Sequence, residues 1–442
     1  MEERRRLPEV LRLEDWWAVW FGLLIIIAAV VGLVHKVPKI GKWADNPLDV
    51  FLLIKDGEVI GNIIIPIIFL WLGLGILTAI GVIVMEGKFI RYFGGYTVIF
   101  LLSIISIIIS HQRQINAIGL EYAFWALAIG LLISNTIGTP KWLLSGAKTE
   151  MFIKTGLVLL GAEIIFDKIL QLGAPGLFVA WLVTPIVVIF MFVFGTRFLK
   201  MGSKALVIMI AAATSVCGVS AAIATCAAVR GKKEELTLTV GMSLIFTVAM
   251  MILMPVVILS IHLDKIIGAA WMGGTIDATG AVVAAGAALG PEAEKVAAVV
   301  KMIQNILIGI IAFFVAVYWT AKIERDPLGP KPSLAEIWHR FPKFIVGFLG
   351  ASLLFSFLLI PTMGNEIAEK NILGNVTVNL RGWLFCLAFV SIGLEANFRE
   401  MAKQLVGGKP IILYIVGQSF NLVLTLIAAY LAFGGILFDR PI

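Results

Sequence analysis

The run Thr214-Ser-Val-Cys-Gly-Val-Ser220 places hydroxyls, a thiol and a glycine in the middle of an apolar stretch of membrane-crossing length. Hydrocarbon holds no water to satisfy polar groups, so such a cluster is tolerated only when buried in protein or lining a wet cavity. Gly218 weakens a helix at this point, and Ser215, Cys217 and Ser220 compete for its backbone hydrogen bonds. A half-helix starting here presents N–H groups without intrahelical acceptors, and its dipole adds positive charge at the same place. Ser215, Cys217, Gly218, Val219 and Ser220 are therefore candidate ligands of a phosphate- or sulfate-like anion. The competing reading is a packing seam, because small residues also let membrane helices approach.

A second polar interruption, Gly273-Gly-Thr-Ile-Asp-Ala-Thr-Gly280, sets Asp277 between glycines in an apolar setting. A buried carboxylate must pair, hold a proton or bind a cation. Asp277 is thus the candidate coupling group, with Thr275 and Thr279 able to serve the same cavity. Lys301, Gln304 and Asn305 stand at i, i+3 and i+4 and share one helix face; the plainer reading of Lys301 is a lysine that snorkels to the headgroups. Asn135, Glu163 and Ser391 lie at segment ends and are further candidates for the coupling ion or proton. The segments Gly161-Ala-Glu-Ile-Ile-Phe166 and Gly393-Leu-Glu-Ala-Asn-Phe398 share the pattern Gly-x-Glu-x-x-Phe. They fall in non-equivalent places of the repeat described next, and the echo is read as chance.

The elements that position these residues follow from composition. Of 442 residues 60% are hydrophobic and only 14% charged, with a mean hydropathy of +1.01, and a spanning helix needs about 20 apolar residues. The pattern predicts an all-α polytopic membrane protein of about 13 spans, not a β-barrel of short alternating segments. After a basic tail (1–15) come three N-terminal helices (16–112), then two five-helix groups (120–260 and 271–434). An odd repeat length turns the second copy over, giving a five-plus-five inverted repeat with broken helices, the plan of secondary transporters. With the N-terminus cytoplasmic, this map puts 21 of the 35 Lys and Arg inside and 14 outside. Its anchors are Arg4, Arg5, Arg6, the Lys322–Lys343 linker, Arg399, Lys403 and Lys409, and the bias supports this orientation; the expected location is a bacterial or archaeal plasma (inner) membrane. Arg230, Lys232 and Lys233 fall outside unless the segments at Ala205 and Trp271 dip in and return, and parity alone does not choose.

The net charge of +7 is spread among loops, which argues against a nucleic-acid partner. Cys217, Cys226 and Cys386 all lie inside apolar segments, so neither a disulfide framework nor a zinc site is expected. No cofactor and no metal is implied. His-Glu-x-x-His and Gly-x-Ser-x-Gly are absent from the sequence, so no enzyme is expected. The expected partners are a small inorganic or organic anion, a coupling H+ or Na+, the lipid bilayer and a second copy in a homodimer.

At Cys217-Gly-Val-Ser-Ala221 the chain resembles the YeiH-type sulfate exporter family of bacterial membrane proteins. The resemblance continues at Ser134-Asn-Thr-Ile137, Lys154-Thr-Gly-Leu-Val-Leu-Leu-Gly161, Lys301-Met302, Phe341-Pro-Lys-Phe-Ile-Val-Gly-Phe348 and Ser391-Ile-Gly-Leu394, and spans about Tyr122 to the C-terminus. Two positions depart: Asp277-Ala278 stands where that family usually has His-Glu, and Gln304 where it usually has Arg after Lys-Met. The resemblance implies kinship with inverted-repeat transporters such as bile-acid symporters and cation/proton antiporters. Residues and resemblance together predict a secondary active transporter that moves sulfate, a sulfonate or a carboxylate by alternating access. The alternative is a cation or proton antiporter with Asp277 as the ion site.

Overall fold

The computed structural model describes residues 8–55, 58–87, 89–117, 122–164, 166–324, 338, 341–364, 366–399 and 408–440. Arg4, Arg5, Arg6, Lys403 and most of the Lys322–Lys343 linker lie outside these residues. In chain order the principal helices are α1 (Glu14–Val30), α2 (Ile64–Glu86), α3 (Phe89–Ser110), α4 (Tyr122–Thr136), α5 (Thr149–Glu163) and α6 (Leu170–Phe198). They continue as α7 (Lys204–Ala212), α8 (Gly218–Ala228), α9 (Lys233–Ser260), α10 (Lys265–Thr275), α11 (Thr279–Ala287), α12 (Pro291–Asn305) and α13 (Leu307–Tyr318). The last are α14 (Phe344–Met363), α15 (Glu366–Glu395) and α16 (Lys409–Phe433). A small antiparallel hairpin, β1 (Leu52–Lys55) and β2 (Glu58–Asn62), occupies the loop after α1.

Among the described residues nine helices are long and apolar enough to cross a membrane. The expectation of about 13 spans also counted α1, α4 and α5, which are 17, 15 and 15 residues long, and the interrupted stretch 265–287. The expected span Phe152–Leu170 is not one helix. Helix α5 stops at Glu163, where Ile164 turns extended and its carbonyl accepts from the Ser352 hydroxyl (2.5 Å). A new helix starts at Phe166.

The chain divides into two compact units, residues 1–166 with 343–397 and residues 167–342 with 398–442. In the first unit, Glu163 at the end of α5 pairs with Arg381 of α15 at 2.7 Å. Glu395, at the end of α15, accepts from Thr149 at the start of α5 (3.0 Å). The two helices therefore run antiparallel. Gly393 of α15 lies on the backbone of Gly130 in α4, and Gly161 of α5 on the Phe348 carbonyl of α14, with no room for a Cβ at either crossing. The two Gly-x-Glu-x-x-Phe segments thus have matching places. Each ends an antiparallel partner helix at its glutamate, and each immediately precedes the point where the chain leaves the first unit.

In the second unit both polar interruptions fold back on themselves. By length and hydropathy Lys204–Ala228 passes for a span, yet its halves α7 and α8 pack side by side. Beyond α8, a Cβ on Gly231 would stand 3.1 Å from Met209 Cε of α7. Helices α10 and α11 likewise return: Ala297 of α12 lies against both, its carbonyl 2.7 Å from a Cβ on Gly273 and its own Cβ 3.2 Å from one on Gly286. These half-helices of 9 to 11 residues rise about 14 to 16 Å, half the roughly 30 Å of a bilayer core. They enter from opposite ends of α9. Gly231 precedes its first turn, whereas Gly268 of α10 packs on Ile258 near its last. Both interruptions are therefore hairpins of two half-helices, the form that a re-entrant segment takes.

Candidate functional site

The two hairpin tips meet. The first tip is a π-helical turn, Ala213–Cys217, that ends in extended backbone at Cys217 before α8 starts at Gly218. The second is the extended stretch Ile276 to Ala278 between α10 and α11. A side chain at Gly218 would collide with the Ser243 hydroxyl of α9 and come within 3.5 Å of the Asp277 Cβ. Glycine suits this position because α9 leaves no room for a side chain, while the Asp277 contact puts the second tip at van der Waals distance.

Helix α12 ties the tips together. Lys301, 1% exposed, donates to the Val216 carbonyl and to Gln304 Oε1 (2.7 Å). Gln304 Nε2 in turn donates to the Ser215 carbonyl (3.0 Å) in the first tip and to the Gly274 carbonyl (2.9 Å) at the second. One amide therefore spans both interruptions. Asn305 Nδ2 donates to the Thr279 hydroxyl at the start of α11 (2.9 Å). The helical spacing of these three residues works as expected, with all three buried and facing inward. The snorkelling alternative for Lys301 does not hold.

Helix α16 supplies a set of residues that the sequence reading missed. Tyr414 donates its hydroxyl proton to Asp277 Oδ2. Gln418 Nε2 donates to the Thr275 carbonyl (3.2 Å), and Asn421 Nδ2 to the Thr214 carbonyl (3.1 Å). The Thr425 hydroxyl donates to Asn421 Oδ1 (2.8 Å). These four recur at helical spacing along one face of an otherwise apolar span, which is the signal that could have found them. From α6, Thr184 donates to the Ser215 carbonyl (3.2 Å).

Of the expected anion ligands, Ser215, Gly218, Thr275, Lys301, Gln304 and Asn305 are buried at the meeting point and Cys217 is partly so. The Ser215 hydroxyl is turned back onto the Ala211 carbonyl (2.6 Å); it is the carbonyl of Ser215, not its side chain, that enters the network. Val219 and Ser220 are exposed on the first turn of α8. Asp277 sits at the second tip, 1% exposed.

The other three coupling candidates belong to the first unit, where they cap and brace helices. Glu163 pairs with Arg381, Asn135 Nδ2 donates to the Ala396 carbonyl (3.0 Å) at the end of α15, and the Ser391 hydroxyl bonds back to the Leu387 carbonyl (2.8 Å). Among the described residues no group of three or more His, Cys, Asp or Glu side chains is placed to hold a metal.

The family model described as Conserved hypothetical protein 698 matches residues 94–414. The chain belongs to this family. It is the one that the YeiH-type resemblance points to, and its match begins inside α3 rather than at Tyr122. The chain is 54% identical to a UPF0324 membrane protein of Rhodopirellula baltica over 89% of its own length and 71% of that protein. It is 51% identical to one of Nitratidesulfovibrio vulgaris over 84% and 65%, and 28% identical to one of Nitrosomonas europaea over 92% of each. Against the first two it spans about two thirds of the relative's length. No solved structure matches. Members of the family are named as membrane proteins, and with its apolar helices this chain is a multi-pass membrane protein.

Proposed function

We propose that this family member is a secondary active transporter that moves a small anion, sulfate, a sulfonate or a carboxylate, by alternating access. One observation carries the reading: two half-membrane hairpins, entering from opposite ends of one helix, meet where one tip holds a buried carboxylate and the other is bonded by a buried lysine of α12. Irregular backbone at membrane depth is found where a protein lines a solute path, and intramembrane charges mark substrate and ion routes. Lys301 and the first N–H groups of α8 would hold the anion, and Asp277 would carry the coupling ion. Nothing in this arrangement calls for catalysis, and the chain reads as a carrier rather than an enzyme.

Re-entrance also bears on orientation. Counting crossings along the chain moves Arg230, Lys232 and Lys233 to the N-terminal side and Lys265 to the other, which strengthens the basic bias toward the side of the N-terminus. That favours an inner-membrane protein with a cytoplasmic N-terminus.

The test is flux into proteoliposomes of the full chain with labelled sulfate, an alkyl sulfonate and a dicarboxylate, each under an imposed proton or sodium gradient. Uptake above protein-free vesicles is expected for at least one anion, with Lys301→Met lowering it by about 100-fold, the scale of removing a buried charge contact from a binding site. Absence of flux for every anion under every gradient sinks the proposal. The antiporter reading is favoured instead if Lys301→Met leaves ion exchange intact while Asp277→Asn abolishes it.

A further inference from the structure

Four oxygen atoms at the second hairpin have no hydrogen-bond partner among the described residues: Thr275 Oγ1, Asp277 Oδ1, Asn305 Oδ1 and Gln418 Oε1. Their residues are each 3% exposed or less. Buried polar groups are rarely left unpaired, and each exception needs a cause. Here they gather at one break. Thr275 and Asp277 flank Ile276, Asn305 is bonded to Thr279 just after the break, and Gln418 is bonded to the Thr275 carbonyl.

The chemistry of the set is uniform. The carboxylate and amide oxygens can only accept, and the threonine hydroxyl presents lone pairs, so the missing partner is a donor or a cation. The Gln418 amide orientation is fixed by its neighbour, since turning it would set its oxygen against the Thr275 carbonyl. Lys301 is already engaged with Val216 and Gln304, and Tyr414 with the other Asp277 oxygen. Hard cations choose oxygen ligands. One carboxylate with three neutral oxygens carries a single negative charge, which suits a monovalent ion; calcium sites recruit several carboxylates.

We propose that Thr275 Oγ1, Asp277 Oδ1, Asn305 Oδ1 and Gln418 Oε1 ligate a monovalent cation of sodium type at the tip of the α10–α11 hairpin. The assignment deepens the transport reading and rests on it for the consequence of binding. A cation on Asp277 cancels the negative charge facing Lys301, so the lysine is left to hold an anion, and the two solutes bind cooperatively in the direction of symport. By linkage the anion must strengthen the cation to the same degree.

The experiment is thermal unfolding of the detergent-purified full chain in chloride salts at constant ionic strength, choline being replaced stepwise by sodium, potassium or lithium, with no oxyanion present. A ligand bound only by the folded state raises the midpoint saturably. Sodium is expected to do so and choline not. Asp277→Asn should raise the half-saturating sodium concentration by at least about tenfold, and the isosteric Thr275→Val by a smaller factor. Ser260→Ala, at an exposed hydroxyl at the end of α9, should keep the wild-type curve. The proposal is overturned if sodium and choline give the same midpoint in the wild type, or if Asp277→Asn and Thr275→Val both retain its sodium response. A sodium response without anion flux would leave the cation site standing and remove the carrier reading; proton-coupled flux without a sodium response would do the reverse.

Discussion

The hairpins α7–α8 and α10–α11 share a plan and differ in how their tips are satisfied. Each consists of two half-helices, so each tip receives one helix C-terminus and one N-terminus, and the dipoles do not distinguish them. Side chains do. At the first tip the carbonyls of Thr214, Ser215 and Val216 each accept from a buried donor: Asn421, Gln304 with Thr184, and Lys301. At the second, the Gly274 and Thr275 carbonyls accept from Gln304 and Gln418, but Thr275 Oγ1, Asp277 Oδ1, Asn305 Oδ1 and Gln418 Oε1 lack a donor. A buried acceptor without a partner costs about 1–3 kcal/mol, so stability is stored at one tip and withheld at the other. The difference separates a tip whose Thr214, Ser215 and Val216 carbonyls are all braced by side-chain donors from one that keeps unpartnered oxygens.

The largest effect should come from cutting the tie between the tips. Gln304→Leu removes the donor to Gly274 and one of the two acceptors of Lys301, and should cost roughly 3 kcal/mol, read as a lower unfolding midpoint in detergent. If the loss is negligible, the bridge is not what holds the tips together. Next comes a direct contrast on α16. Asn421→Leu strips a donor from Thr214 and an acceptor from Thr425, about 2 kcal/mol. Gln418→Leu takes a donor from Thr275 but also deletes an oxygen that had no partner, so its cost in sodium-free buffer should be about 1 kcal/mol or less. Equal losses would erase the distinction between the tips. The smallest effect is expected at Thr275→Val, where a methyl replaces an unpartnered hydroxyl: a change within about 0.5 kcal/mol in sodium-free buffer, alongside weakened sodium binding. A large loss there would mean that the hydroxyl is already structurally engaged.

Much of this site was legible in the chain. Thr214 to Ser220 and Gly273 to Gly280 stood out because polar residues and glycines are rare at mid-span, and Lys301, Gln304 and Asn305 because their spacing puts them on one helix face. Tyr414, Gln418 and Asn421 escaped, since they are dispersed along a mainly apolar span and only their shared helical face, not any local motif, marks them. Re-entrance was raised and left open for a related reason. A hairpin of two half-helices has the length and composition of one crossing helix, and only contacts such as Gly231 with Met209 separate them. Packing is not legible in chain order: the sequence suggested two contiguous groups of five, whereas α14 and α15 pack within the first compact unit and α16 belongs to the second.

The short half-helices carry a consequence for how this protein can change. A hairpin limb is a ruler whose graduation is one residue, about 1.5 Å. Adding or deleting a single residue in α7 or α10 would shift Cys217 or Asp277 by that distance and rotate it by about 100°, enough to dismantle every bond made at the meeting point. Length variation should therefore be confined to the turns outside the hairpins, where an inserted residue leaves the depth of both tips untouched.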